Sequence, residues 1–140
     1  MFPERAPFLS CVNAPAQSCD LPKALIIDDD PQVVHVTRFI LQRAGFRILA
    51  ATCAEQGLHL AITHGPDVIL CDAVLPRIQG SRLLRILKST PATTSIPVIM
   101  ISGHEGLDCD GIFTFLRKPF DTDTLVSATR NALQQHRQAA

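Results

Sequence analysis

The sequence lacks a net charge, because 13 Lys and Arg residues balance 13 Asp and Glu residues over its 140 positions. Binding to nucleic-acid phosphates requires a basic surface, so this balance predicts no nucleic-acid partner. No apolar run approaches the length of a membrane-spanning helix. No apolar stretch follows Glu4 and Arg5 near the N-terminus, so we expect no signal peptide. We therefore expect a protein that has no membrane partner.

Paired cysteine motifs are also missing. The cysteines are odd in number, and no two of them have the CxxC spacing. A secreted disulfide framework normally uses an even number of cysteines, whereas cytoplasmic proteins keep their thiols reduced. The cysteine pattern therefore predicts a cytoplasmic location. The five residues are Cys11, Cys19, Cys53, Cys71 and Cys109.

Helical and alternating apolar patterns are absent from residues 1–22, which contain four of the ten prolines. We predict an extended, disordered tail over this segment. With 46% hydrophobic residues in the whole sequence, the chain is long enough and apolar enough to form a sizeable core. We predict one domain over residues 23–136 and a short C-terminal tail over residues 137–140.

Short apolar runs alternate with helical patterns through the predicted domain. Runs of this length, rich in β-branched residues and bounded by proline or glycine, are typical of buried strands. Strands that alternate with helices indicate a parallel sheet with helices on both faces. Five such units predict a flavodoxin-like, doubly wound α/β fold with strand order 2-1-3-4-5. The predicted strands are Lys23–Ile27, Phe46–Ala50, Val68–Asp72, Ile96–Ile101 and Ile112–Leu116.

Capping signals and apolar periodicity predict the helices. Asp30-Pro31 is typical of a helix start, with Asp as the N-cap and Pro in the first position. The segment Thr52–Glu55 matches a capping box for the second helix, and Asp121 is the predicted cap of the last helix. Apolar spacing predicts the inward residues Val33, Val36, Phe39 and Ile40 for the first helix and Leu58, Ala61 and Ile62 for the second.

Polar residues close several of the predicted strands. Asp28 and Asp29 follow the first strand, and Asp72 ends the third. Strands one and three are neighbours in the predicted order, so these carboxylates converge at the switch point of the sheet. Ser102 follows the fourth strand and Lys118 follows the fifth, which places both on the far side of Asp72.

Three carboxylates in one crevice repel one another and stay ionised only if a cation lies among them. An oxygen-only set with few protein ligands suits Mg²⁺, which keeps several of its water ligands. With a metal on one side and the Lys118 ammonium on the other, Asp72 is suited to attack phosphorus as a nucleophile. The Ser102 hydroxyl can then donate a hydrogen bond to a phosphoryl oxygen.

These residues, together with the spacings around them, resemble the receiver domain of two-component response regulators. The resemblance extends from Lys23 to about Leu133. Each motif alone is weak, but together, in order and at strand ends, the motifs are specific. They are Asp28-Asp29, Asp72, Leu75-Pro76 with Gly80, Ser102, and Lys118-Pro119-Phe120.

The resemblance implies that Asp72 is a phosphoacceptor that takes its phosphoryl group from a histidine kinase or a phosphotransfer protein. It also implies that Asp29, Asp72 and the Val74 carbonyl bind Mg²⁺ directly, while Asp28 assists through water. A cis peptide bond is expected before Pro119, as proline permits.

The resemblance further implies a switch. Ser102 would move towards the phosphoryl group, and Phe115 would follow into the space that Ser102 vacates. Phe115 stands where many relatives carry tyrosine, so an outward ring would gain no hydrogen bond. Because the sequence ends just after its last predicted helix, we expect the output to be contact with a downstream target protein or onward phosphotransfer. We expect no enzyme activity beyond the domain's own phosphorylation and dephosphorylation.

The sequence departs from the family pattern between Ser102 and Ile112. Only nine residues, 103–111, separate the two, and three of them are glycine. A crossover that contains a helix usually needs about 10–12 residues or more. We therefore predict a shortened fourth helix, or a loop in its place. In receivers, that helix is part of the usual output face.

Two alternatives compete with this interpretation. A receiver-like module that signals without phosphate would fit the short segment 103–111, but the complete set of carboxylates, hydroxyl and lysine counts against it. A phosphatase resembling the haloacid dehalogenase group would place its nucleophile in Asp28–Asp30. Gln32 then stands where Thr or Val is expected, and the chain has no room for a cap domain.

Overall fold

Five strands form one sheet in the computed structural model, which describes residues 21–103 and 111–139. The strands are β1 (Lys23–Ile27), β2 (Arg47–Ala51), β3 (Val68–Asp72), β4 (Val98–Ser102) and β5 (Thr114–Arg117). The helices are α1 (Pro31–Arg43), α2 (Ala54–His64), α3 (Gly80–Ser89) and α4 (Thr122–Ala139). Strands and helices therefore alternate from β1 to β4, and α4 follows β5, which is the arrangement expected for a parallel α/β fold.

The order of the strands across the sheet is β2-β1-β3-β4-β5, and all of their pairings are parallel. This confirms the predicted flavodoxin-like order 2-1-3-4-5. The predicted bounds of β1 and β3 are correct, whereas β2, β4 and β5 begin one or two residues later than predicted. For β4 the reason is a turn, because the Ile96 N–H donates to the Thr93 carbonyl at 3.1 Å and is not available to the sheet.

Apolar layers cover both faces of the sheet. Alternate residues of a strand point to opposite faces, so neighbours such as Ala24 and Leu25 belong to different clusters. Leu25 packs in the cluster that includes Leu83 and Leu84 of α3. Ala24 packs in the cluster that includes Leu125 of α4. Burial on both faces explains why the strands are almost continuously apolar, and it confines their polar residues to the strand ends.

Helix α1 starts as predicted but buries a different face. The Asp30 side chain accepts a hydrogen bond from the Gln32 N–H, and Pro31 occupies the first position. Its fully buried residues are Thr37 and Leu41. Phe39 lies two residues from each of them, which at about 100° per residue directs it towards the opposite side of the helix. The predicted inward positions Val36 and Phe39 were therefore wrong, since they are 51% and 56% exposed.

Helix α2 ends at Gly65 as expected but differs from its prediction at its N-terminal cap and at one inward position. Its N-cap is Cys53, whose side chain makes no capping hydrogen bond, so the predicted capping box over Thr52–Glu55 was wrong. Gln56 instead accepts from the Thr52 N–H at 3.2 Å. Ala61 is fully buried as predicted, but Ile62 is 45% exposed and does not face the core.

Helix α4 begins with the predicted cap, because Asp121 accepts a hydrogen bond from the Thr124 N–H at 2.7 Å. It continues to Ala139, so residues 137–139 are helical where a tail was predicted.

Two predictions concern residues outside the described ranges. Residues 1–20, which make up most of the tail predicted over residues 1–22, lie outside them. Residues 104–110 also lie outside them, and so does the predicted shortening of a helix between β4 and β5. None of the helices in the described ranges combines the length and apolar character needed to cross a membrane.

Gly80 allows the start of α3 to pack against the end of β3. A Cβ atom at this position would lie 2.4 Å from the Asp72 carbonyl oxygen and 2.8 Å from the Ala73 Cα. Both of these are backbone atoms, which cannot rotate away as a side chain can. The Gly80 N–H also donates to the Ala73 carbonyl at 3.0 Å and closes the loop between β3 and α3. The glycine in the motif is therefore required by the backbone next to Asp72.

We expect the substitution Gly80→Ala to lower the free energy of unfolding by about 1–3 kcal/mol, the usual cost of forcing an extra methyl group into a packed region. Gly103→Ala is the matched control, because a Cβ atom at Gly103 would have no neighbour within 4 Å among the described residues. The control should change stability by less than about 0.5 kcal/mol. Equal losses in the two variants, measured by urea denaturation, would contradict the steric role of Gly80.

Candidate functional site

The carboxyl ends of the strands bring polar residues together at one edge of the sheet. β1 pairs with β3 in parallel, and Ile27 lies opposite Cys71. Asp28 therefore follows β1 at the level where Asp72 ends β3. The backbone fixes both positions, because the Asp28 N–H donates to Ala51 of β2 at 3.0 Å and the Ala73 N–H donates to Ile101 of β4 at 2.8 Å. The outer neighbours β2 and β4 thus fix the backbone next to the Asp28 and Asp72 carboxylates.

Asp28, Asp29 and Asp72 form one acidic cluster. Each offers a carboxylate oxygen, and these oxygens all lie within 4.8 Å of one another. Asp28 and Asp72 are buried, being 2% and 8% exposed, whereas Asp29 is exposed to solvent. The spacing and the oxygen-only donor set are suited to a hard divalent cation. The predicted convergence of these three residues is thus observed.

The Lys118 side chain bridges two members of the cluster. Its Nζ lies 3.3 Å from Asp28 Oδ2 and 3.4 Å from Asp72 Oδ2. The sequence placed Lys118 beyond Asp72, and its contact with Asp28 was not predicted. A lysine side chain is long enough to reach back across the strand ends, which the order of the strands alone does not reveal.

Charge and burial oppose one another at this cluster. Burial raises the pKa of Asp28 above its usual value of 3.8, and repulsion by Asp72 adds to the rise, although the Asp30 N–H and Lys118 act in the opposite direction. For Lys118, burial alone would lower the pKa, but attraction to Asp28 and Asp72 outweighs it and raises the pKa above 10.5. The ammonium therefore stays charged at neutral pH, while the Asp28 carboxylate is incompletely compensated.

The thiol beneath the cluster is chemically quiet. Burial, together with the charges of Asp72 and Asp28, raises the pKa of Cys71 to about 12. A thiol with this pKa is protonated at neutral pH and is a poor nucleophile. Cys71 therefore acts as a small apolar residue of the sheet, and Asp72 is the nucleophile candidate of β3.

The remaining predicted site residues lie around Asp72. Val74 donates its N–H to Asp72 Oδ1 at 3.2 Å and has a side chain that is 53% exposed. Ser102 is buried at the end of β4, and its carbonyl accepts from the Lys118 N–H at 2.8 Å. Phe115 is half-buried and packs against the core. The peptide bond between Lys118 and Pro119 is cis.

An apolar patch beside the site was missed by the sequence analysis. It consists of the exposed residues Val36 and Phe39 of α1, which we call the α1 patch. Val36 also lines a groove of about 490 Å³ that reaches Lys118. The apolar spacing of α1 did not reveal this patch, because it predicts both residues to face the core. The lining of the groove comprises Asp30, Gln32, Val33, Val36, Thr37, Lys118, Pro119 and Phe120.

The fold and the site together define a flavodoxin-like domain with an acidic crevice that could hold a metal ion. The family model described as "Response regulator receiver domain" matches residues 24–130. The chain belongs to this family and is a receiver domain of two-component response regulators.

Curated relatives agree with this assignment. The chain is 31% identical to protein PilH of Pseudomonas aeruginosa over 118 residues, which are 79% of this chain and 96% of PilH. It is also 31% identical to the DNA-binding dual master transcriptional regulator RpaA of Synechocystis over 122 residues, which are 82% of this chain and 50% of RpaA. The chain thus spans half the length of RpaA, and it spans about a quarter of three other regulatory proteins that it matches.

Solved structures show the same domain. A response regulator receiver domain protein from Clostridium thermocellum superimposes with a TM-score of 0.79 at 30% identity, covering 86% of this chain and all of the other.

Two of the curated relatives are described as DNA-binding regulators. The expectation that this chain has no nucleic-acid partner is therefore not confirmed.

The raised pKa of Asp28 gives a prediction about stability and pH. Without metal, the folded state binds the Asp28 proton more tightly than the unfolded state does. The stabilisation that results is complete below pH 3.8 and is lost as the pH rises through the higher folded-state pKa. We therefore expect the free energy of unfolding of the wild type, minus that of Asp28→Asn, to fall between pH 3.8 and neutral pH. Chemical denaturation at a series of pH values measures this difference.

At neutral pH a divalent cation such as Mg²⁺ should stabilise the wild type more than it stabilises Asp28→Asn. A ligand present at about 100 times its Kd stabilises the native state by about 2.7 kcal/mol, and only the wild type has the full carboxylate set. Asp123→Asn, which alters an exposed carboxylate on α4, should keep the wild-type response to the cation. Equal stabilisation of the wild type and Asp28→Asn would rule out Asp28 as a contributor to the site.

Proposed function

We propose that Asp72 is phosphorylated in a Mg²⁺-dependent transfer from a histidine kinase or a phosphotransfer protein. The supporting observation is the surroundings of Asp72, whose Oδ2 lies 3.4 Å from the Lys118 ammonium and whose carboxylate belongs to the acidic cluster. The output is contact with a downstream target protein. We also propose that the domain catalyses only its own phosphorylation and dephosphorylation. The proposal places the protein in the cytoplasm and gives it no nucleic-acid partner.

Mg²⁺ would be held by Asp29, Asp72 and the Val74 carbonyl, with Asp28 acting through water. Carboxylate and carbonyl oxygens suit this ion, which binds few protein ligands and keeps several waters. When bound, it would supply positive charge against the phosphoryl oxygens. The incompletely compensated charge on Asp28, evident in its raised pKa, supports a cation at this position.

The chain's own residues orient and stabilise the reacting groups. The Val74 N–H holds Asp72 Oδ1 at 3.2 Å, which fixes the carboxylate plane. A carboxylate oxygen of Asp72 forms the new bond to phosphorus, while the bond from phosphorus to the donor's imidazole nitrogen breaks and that nitrogen keeps the electron pair. The Lys118 ammonium neutralises the transferred group. Ser102 and Phe115 then serve as the switch pair.

The phosphatase alternative is less well supported. It requires a nucleophile among Asp28–Asp30, but the Asp28 carboxylate is 2% exposed. Its Oδ1 accepts from the Asp30 N–H at 2.9 Å and its Oδ2 lies against Lys118. The Asp30 side chain caps α1. Asp72 has similar contacts, and it is the match to the receiver family over residues 24–130 that favours Asp72 as the nucleophile.

Intact mass measurement tests the phosphoacceptor directly. We expect incubation with acetyl phosphate and Mg²⁺ to add one phosphoryl group to the wild type and none to Asp72→Asn, because the variant lacks the nucleophilic oxygen. The adduct should be stable in acid and labile in base. Asp123→Asn is the control and should be modified like the wild type. An adduct on Asp72→Asn, or none on the wild type, would contradict the proposal and favour the phosphate-independent module.

The α1 patch supports a protein as the phosphoryl donor. Lys118 lines the groove beside the patch and also contacts Asp72, so the two sites are continuous. A donor protein that delivers a phosphoryl group to Asp72 must cover the surface around it. Apolar surface next to a reactive site is typical of a protein contact. We therefore assign the α1 patch to the donor protein.

The substitution Phe39→Ser separates donor binding from chemistry. With a donor protein that phosphorylates the wild type, the variant should react about tenfold or more slowly, as expected for loss of an apolar anchor. Its rate with acetyl phosphate should stay within about twofold of the wild type, because Phe39 belongs neither to the acidic cluster nor to the groove lining that includes Lys118. Ile62→Ser is the control, since Ile62 is a similarly exposed apolar residue on α2. Equal slowing in the two variants would refute a specific role for the patch.

A further inference from the structure

Arg77 has an unfavourable backbone conformation close to the phosphoacceptor. Among the residues that the structure describes, it is the one non-glycine residue with a positive φ, which is 67°. The Ile78 N–H donates to the Pro76 carbonyl at 2.7 Å, so Arg77 is the central residue of a three-residue turn. Turns of this kind with a positive central φ are rare and strained. Strain of this kind persists only where the surrounding structure enforces it, and it often marks a functional site.

The loop that contains Arg77 is fixed on its other side. It leaves β3 directly after Asp72, and the Gly80 N–H closes it on the Ala73 carbonyl at 3.0 Å. Leu75 is 5% exposed and anchors the loop in the core. Val74 is tied to Asp72 Oδ1 by its N–H. A change in the backbone conformation of Arg77 therefore alters the same short loop that holds the Asp72 carboxylate.

An ion pair ties the loop to a different element. Arg77 Nη2 lies 3.3 Å from Oε2 of Glu55, which belongs to the first turn of α2. Backbone hydrogen bonding at this helix start lowers the pKa of Glu55, and the charge of Arg77 contributes to the lowering. The two side chains are 71% and 50% exposed. Salt therefore screens the pair, and its effect on the loop is modest.

We propose that the Arg77–Glu55 pair is a positioning contact that keeps the loop between β3 and α3 in its strained form and thereby orients Val74 and the Asp72 carboxylate for phosphoryl transfer. Neither residue touches the reacting atoms, and both act through the loop. This inference rests on the proposed phosphorylation of Asp72.

The test measures the rate at which acetyl phosphate modifies Asp72, a reaction in which a carboxylate oxygen displaces acetate from phosphorus. Glu55→Gln and Arg77→Gln should each slow the reaction by about two- to fivefold, the range that an exposed ion pair allows. Arg82→Gln is the control, because it removes the same charge from an exposed position on α3, and it should react like the wild type. The double variant Glu55→Gln with Arg77→Gln should react no more slowly than the slower of the two single variants, because both substitutions remove the same contact.

Two further measurements separate positioning from stability. Arg77→Gly relieves the strained φ, so its unfolding midpoint should equal or exceed that of the wild type while its phosphorylation slows. Raising the salt concentration should slow the wild type towards the rate of Glu55→Gln. Wild-type rates in both single variants, or slowing in the double variant equal to the product of the two single effects, would overturn the inference. Absence of any adduct on the wild type would instead overturn the phosphorylation on which the inference rests.

Discussion

The imbalance of charge at the carboxyl edge of the sheet is the constraint on which the site depends. Three carboxylates and one ammonium give the crevice a formal charge of −2. Lys118 pairs with two of the carboxylates, and the pKa of Asp28 is nevertheless raised by burial and by Asp72. A divalent cation would bring the formal charge to zero. A divalent ion placed among the three carboxylates would offset this charge better than a second lysine, because it carries twice the charge at a single point.

The backbone of the sheet holds these charges in place. Each strand end is tied to its neighbour by a hydrogen bond, and Lys118 is tied to Ser102 of β4 in the same way. Side chains on such a rigid support stay close together despite their repulsion, whereas side chains on a mobile loop would separate. The cost of holding like charges together is met by the apolar clusters on both faces of the sheet. Folding and the reactivity of the crevice are therefore linked.

Most of the sheet could be predicted from the sequence, because strands buried on both faces leave unmistakable apolar runs and the crossover rule limits their order. The meeting of Asp28, Asp29 and Asp72 followed from that order. The face of α1 could not be predicted as well, since Thr37 is buried where a more apolar choice, Phe39, points to solvent. The conformation of Arg77 was also beyond sequence reasoning, because a positive φ is expected at glycine and not at arginine. The reach of Lys118 to Asp28 depends on side-chain length, which the pattern of elements does not encode.

Lys118 connects the crevice to the surface beside it. Its ammonium contacts Asp28 and Asp72, while its side chain and the following Pro119 and Phe120 line the groove next to the α1 patch. An acyl phosphate on Asp72 would replace a single negative charge by a group of about −2, which draws the ammonium towards the new oxygens and away from Asp28. The lining of the groove would change with it. A ligand that contacts Lys118 in the groove would then bind the two forms of the domain with different affinity, and by linkage it would shift the phosphorylation equilibrium by the same factor.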